Sequence, residues 1–70
     1  MASVLKQFGS ELRRLREKKG LSQEGLASQA GLHRNSVGAL ERGEQNVSLL
    51  TLEKIARVLK VKTRELLPKN

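Results

Sequence analysis

A chain of 70 residues holds one domain at most, and without cysteine it has no disulfide or thiolate metal site to support a marginal core. Fourteen Lys and Arg against seven Asp and Glu leave a net charge of +7, which favours a polyanionic partner: nucleic acid first, an anionic membrane second. The membrane option is weak, because apolar runs are only a few residues long and Trp and Tyr are absent.

The first predicted helix runs from about Val4 to Lys19. Leu5, Phe8, Leu12 and Leu15 recur at helical spacing and mark its inner face. Gly20 ends it, and Ser22 is placed to cap the next helix. That second helix, Gln23 to about Gln29 or Ala30, turns Leu26, Ala27 and Ala30 inward before Gly31 breaks it. A third helix is expected from about His33 to Arg42, with Val37 and Leu40 buried and Gly43 at its end. After the loop Glu44-Gln45-Asn46-Val47, Ser48 caps a fourth helix, Leu49 to about Lys60, whose inner face is Leu52, Ile55, Ala56 and Leu59. A last short helix, capped by Thr63, covers Arg64 to Leu67 and stops at Pro68. The expectation is a single all-α domain over residues 1–70, a compact bundle of five helices with short connections.

The window from Gln23 to Arg42 meets the steric demands of a helix-turn-helix. Two short helices crossing steeply need a small residue at the crossing, here Ala27. They need a turn residue that tolerates positive φ, here Gly31. The second helix needs an apolar anchor, here Val37, with Leu26, Leu32 and Leu40 completing the contact. At 100° per residue, Asn35, Gly38, Ala39 and Arg42 fall opposite the buried side of the third helix. Its N-terminal part is the part such helices present to the major groove, so Arg34 and Asn35 lead. Arginine pairs bidentately with guanine and asparagine with adenine, and Ala39 suits a thymine methyl. Gly38 lets the backbone approach DNA closely. His33 is a further phosphate contact at the start of that helix.

The stretch Leu21-Ser22-Gln23-Glu24-Gly25-Leu26-Ala27, with Gly31-Leu32 and Val37-Gly38-Ala39-Leu40-Glu41-Arg42-Gly43, resembles the phage repressor/Cro family of helix-turn-helix domains. The likeness covers nearly the whole chain, from Phe8-Gly9 to Glu65-Leu66-Leu67. Asn46-Val47-Ser48-Leu49 and the lack of room for a second domain look more like the small controller proteins of restriction–modification systems. The resemblance implies a lambda-repressor-like fold and a transcriptional regulator that binds double-stranded DNA as a homodimer on a palindromic operator. It adds Ser36 to the base contacts and puts Gln23, Arg42 and Asn46 on phosphates. It also implies an ion pair between Arg16 and Glu41 and dimer contacts near the C-terminus, where Val58, Leu66 and Leu67 are the candidates. Lys54, Arg57, Lys60, Lys62 and Arg64 form a basic run there, suited to steering or to the edge of that interface.

No nucleophile–base set, paired carboxylates, phosphate-binding glycine loop or metal-ligand cluster is present, so neither an enzyme nor a cofactor is expected. Met1-Ala2-Ser3-Val4-Leu5-Lys6 has no apolar stretch of signal-peptide type, and the expected location is cytoplasmic, on the nucleoid. Two alternatives share the fold: an antitoxin-like protein-interaction module, and the detached DNA-binding head of a larger repressor.

Overall fold

Three serines set the helix starts. The hydroxyl of Ser3 accepts from the Lys6 N–H at 3.1 Å, that of Ser22 from Gly25 at 2.9 Å and that of Ser48 from Thr51 at 3.0 Å. Each satisfies a donor that the first helical turn leaves without a partner. The helices that follow in this computed structural model are α1 (Val4–Lys18), α2 (Gln23–Ala30), α3 (Ser36–Glu41) and α4 (Leu49–Leu59). The structure describes residues 3–68, so residues 1–2 and 69–70 of the expected domain lie outside the described residues.

The expected fifth helix is a correction. Thr63–Leu66 forms one 3₁₀ turn, so the described residues form four α-helices. Lys62, not Thr63, precedes the turn, and its N–H donates to Glu65 Oε2 at 2.8 Å. Pro68 disfavours helical backbone at the residue before it, and Leu67 is extended at φ −84° and ψ 149°. The third helix also starts later than expected. His33 to Asn35 form a tight turn in which the Ser36 N–H donates to the His33 carbonyl at 2.9 Å. The His33 Nδ1 accepts from the Asn35 N–H at 3.1 Å, a local side-chain bond that competes with the helical ladder. The fourth helix stops one residue early because Lys60 adopts the left-handed conformation at φ 58°.

α3 packs against α1 and α2, and α4 against α2, while the 3₁₀ turn closes over α4 and α1. Leu12, Leu26, Val37, Ile55 and Leu66 are fully buried where these elements meet. Truncating any of the larger ones to alanine costs about 2–5 kcal/mol. Leu66 is therefore a monomer core residue, which corrects its placement at a dimer surface. The turn folds it back under α1 and α4, leaving Leu67 outside at 44% exposure.

Two glycines fix how the helices cross. Gly31 sits at φ 70°, the left-handed region that glycine enters freely, and ends α2 with Leu32 donating to the Ala27 carbonyl at 2.8 Å. Gly9, inside α1, has a different task. A Cβ there would stand 2.5 Å from the Leu40 carbonyl oxygen and still closer to that of Glu41. Only a residue without a side chain lets α1 lie directly on the last turn of α3.

Candidate nucleic-acid interface

That close crossing brings Arg16 of α1 beside Glu41 of α3. Arg16 Nε donates to Glu41 Oε2 at 2.6 Å and Nη2 to Oε1 at 3.1 Å. The side chains are 10% and 4% exposed, so this is a bidentate, largely buried pair. Arg16 Nη1 also donates to the Leu21 carbonyl at 2.7 Å, which fastens the α1–α2 connection to the same point. The hydrogen bonds to Glu41, reinforced by its charge against the desolvation that opposes them, raise the Arg16 pKa further above neutrality.

Gln23, the first residue of α2, extends this network. Its Nε2 donates to Glu41 Oε1 at 3.0 Å. The amide oxygen lies 3.2 Å from where a Gly38 Cβ would stand, and Arg42 Nη1 lies 3.1 Å from the same point. The missing side chain of Gly38 thus makes a seat for Gln23 and Arg42. Arg42 Nε donates to Glu44 Oε2 at 2.9 Å on the open surface. That hydrogen bond, with the charge of Arg42, holds the Glu44 carboxyl below the usual carboxylate range and raises Arg42 in turn.

Gln23, Arg34 and Asn35 share one open cleft of about 590 Å³, walled by Ser22, Glu24 and the edge of Arg16. Arg34 and Asn35 are exposed, Ser36 is half-buried, and His33 and Asn46 are exposed. With Nδ1 accepting from the Asn35 N–H, Nε2 is the ring nitrogen left to donate to a phosphate. Gly38 and Ala39 depart from the helical-wheel expectation. Both are buried, Ala39 at 7% exposure, because α3 has only six residues and α1 and α2 cover it from two sides.

Among the described residues, Arg13, Arg14, Arg16, Arg42 and Arg57 each pair with a glutamate. Arg34 and Arg64 have no acidic partner among them, and of these two Arg34 is the one that lines the cleft, exposed to solvent. No three His, Cys, Asp or Glu among the described residues are placed to hold a metal ion. No helix among them is long and apolar enough to cross a membrane.

The apolar surface lies elsewhere. Leu49 and Leu50, at the start of α4, are 84% and 62% exposed. Val58 shares a shallow cleft with Leu50 and Ala30, whereas Leu67 lies beside Gln7 and Arg14 in another. The structure therefore does not gather Val58, Leu66 and Leu67 into one patch. The exposed leucine pair was hidden in the sequence because Leu49 continues the spacing of Leu52 and Leu59. It projects past the end of the core, which periodicity does not reveal.

A family model described as helix-turn-helix, HTH_3, matches residues 12–66. The control protein C.BamHI of Bacillus amyloliquefaciens is 44% identical over 61 residues, covering 86% of this chain and 75% of its own. The crystal structure of the restriction–modification controller protein C.AhdI from Aeromonas hydrophila superposes with a TM-score of 0.87 at 53% identity, covering 89% of this chain and 94% of that one. The biofilm regulator SinR, in a crystal structure with DNA, superposes with a TM-score of 0.81 at 35% identity, covering 84% and 95%.

Proposed function

The chain belongs to the helix-turn-helix family, and on that premise we propose that it works as a homodimer on a palindromic operator, as a restriction–modification controller. It is a DNA-binding transcription regulator and not an enzyme. The observation that carries the proposal is the shared cleft of Gln23, Arg34 and Asn35 at the head of α3, beside a cation with no acidic partner. Arg34, Asn35 and Ser36 read base edges, with Ala39 offering only its small remaining surface. Gln23, Arg42, His33 and Asn46 hold phosphates and set the register. A regulator of this kind acts on the chromosome, in the cytoplasm.

One such head reads only a few base pairs, and pairing two heads one DNA turn apart, about 34–36 Å, supplies a longer site. Leu49 and Leu50, with the half-buried Val58 nearby, form the pairing surface, since a partner copy removes two large apolar side chains from water. Leu67, in a separate cleft with Gln7 and Arg14, lies outside it. Enrichment of random duplexes at about 150 mM salt, where non-specific attraction is screened, tests the proposal. Recovery of a palindrome with half-sites one turn apart supports it. Recovery of a single unrepeated half-site, with a protein that sediments as a monomer, overturns the dimer and favours the detached-head alternative.

A further inference from the structure

A surface built to meet phosphates should shed carboxylates, yet two stand directly against Gln23 and Arg42: Glu41 at the end of α3 and Glu44 three residues on. Neither is loose. Glu41 accepts from Gln23 Nε2 at 3.0 Å, and Glu44 accepts from Arg42 Nε at 2.9 Å. Both side chains reach over Gly38, with Arg42 Nη1 3.1 Å and Gln23 Oε1 3.2 Å from the point where its Cβ would stand, so the donors beside that point are Nη1 and the Gln23 Nε2 carried on the same amide. We propose that Glu41 and Glu44 are positioning residues that preform a clamp of Gln23 and Arg42 for one backbone phosphate. This rests on the reading of Gln23 and Arg42 as phosphate contacts.

The atoms that each carboxylate takes support the assignment. Glu44 takes a single nitrogen, Nε, of the Arg42 guanidinium. Among the described residues neither Nη group has a hydrogen-bond partner, and Nη1 lies over Gly38, so both keep protons to donate. An acid that masked Arg42 from DNA would take the two-nitrogen edge, as Glu41 takes Nε and Nη2 of Arg16. On Gln23, Glu41 uses one of the two amide protons and leaves the second for a phosphate oxygen. Because Arg16 holds Glu41 in place, the Gln23 anchor does not move when DNA arrives. The unbranched backbone of Gly38 lets both arms lie flat, and an alanine there would push on each of them.

The clamp reverses a sign. Taking a negative charge away from a DNA-facing surface strengthens binding if charge alone matters. If Glu44 positions Arg42, Glu44→Gln weakens binding, because Arg42 must then be ordered at the moment of contact. Phosphate contacts carry no sequence information, so the probe is one fixed duplex of arbitrary sequence. The result therefore does not hinge on the operator, and failure to find an operator is a separate outcome. Glu44 is half-exposed and its exchange leaves the core intact, which an unchanged thermal midpoint verifies.

In the wild-type background, Glu44→Gln is expected to weaken duplex binding by about two- to fivefold, the range of an ordered surface pair. In an Arg42→Ala background the same exchange is expected to strengthen it, since only the charge effect remains. Glu41→Gln is expected to weaken binding in the presence of Gln23 and to have no such effect in a Gln23→Ala background, with each variant compared below its own melting range. Tighter binding on Glu44→Gln in both backgrounds would overturn the clamp, as would equal losses from Glu41→Gln with and without Gln23.

Discussion

Removing Arg16 should take a third or more of the stability of this domain. Arg16→Met keeps much of the apolar stem but withdraws three hydrogen bonds, two to Glu41 and one to the Leu21 carbonyl. It strands a glutamate whose side chain is 4% exposed. Breaking a buried pair from one side costs about 3–5 kcal/mol. At 0.05–0.15 kcal/mol per residue, 70 residues give a total of roughly 3.5–10 kcal/mol, so the loss takes a third or more of it. Thermal melts followed by circular dichroism should fall by roughly 12–40 °C, at about 4–8 °C per kcal/mol in a domain of this size. The double variant Arg16→Met with Glu41→Leu should recover most of the loss, because no charge is left buried. It should stay about 1–2 kcal/mol short of wild type, since the Leu21 carbonyl and the Gln23 amide lose partners. A single-variant cost below about 1 kcal/mol, the value of an exposed pair, would refute the reasoning. So would a double variant less stable than both singles.

Three further outcomes follow from the packing. Gly9→Ala should destabilise by about 1–3 kcal/mol in a urea titration, despite alanine's better helix propensity, because the new methyl meets the Leu40 and Glu41 carbonyls; a gain in stability would mean that α1 and α3 are not in such close contact. Lys60→Gly should stabilise by about 0.5–1 kcal/mol in the same titration, since Lys60 closes α4 at φ 58° where glycine carries no steric penalty; a loss would show that the lysine side chain is itself structural. Leu50→Glu should shift sedimentation toward monomer without lowering the helix content, and an unchanged dimer would move the pairing surface away from α4.

How far the sequence discloses this structure depends on the range of the interaction that decides each feature. The serine caps at positions 22 and 48 and the inner faces of α1, α2 and α4 rest on contacts within a few residues, and they are legible as written. The start of α3 is not. His33 turns its ring nitrogen onto the Asn35 N–H, and a helical wheel has no means to register that choice. The same wheel turned Gly38 and Ala39 outward because it knows only one helix, whereas the six residues of α3 are wrapped by α1 and α2. Leu66 and Leu67 are chemically identical neighbours, and only the fold-back of the last turn decides that one fills the core and the other meets solvent. For Gly9 the sequence offers nothing beyond close packing in general, and the carbonyls of α3 above it supply the particular contact. The site divides in the same way. Arg34 and Asn35 are suggested by their place ahead of Val37 and by what their side chains can bind. The coupling of Gln23 to Glu41, 18 residues apart, needs the fold.

Arg34→Ala decides whether the turn at the head of α3 reads base edges. Affinity is measured at about 150 mM salt on the duplex enriched from a random pool and on a duplex of unrelated sequence. Loss of a bidentate base contact costs about 1–3 kcal/mol on the enriched duplex, while the unrelated duplex loses only the charge contribution. A fall in the ratio of the two affinities by roughly tenfold or more is the predicted result. An equal loss on both duplexes would place Arg34 on phosphate alone and contradict the claim.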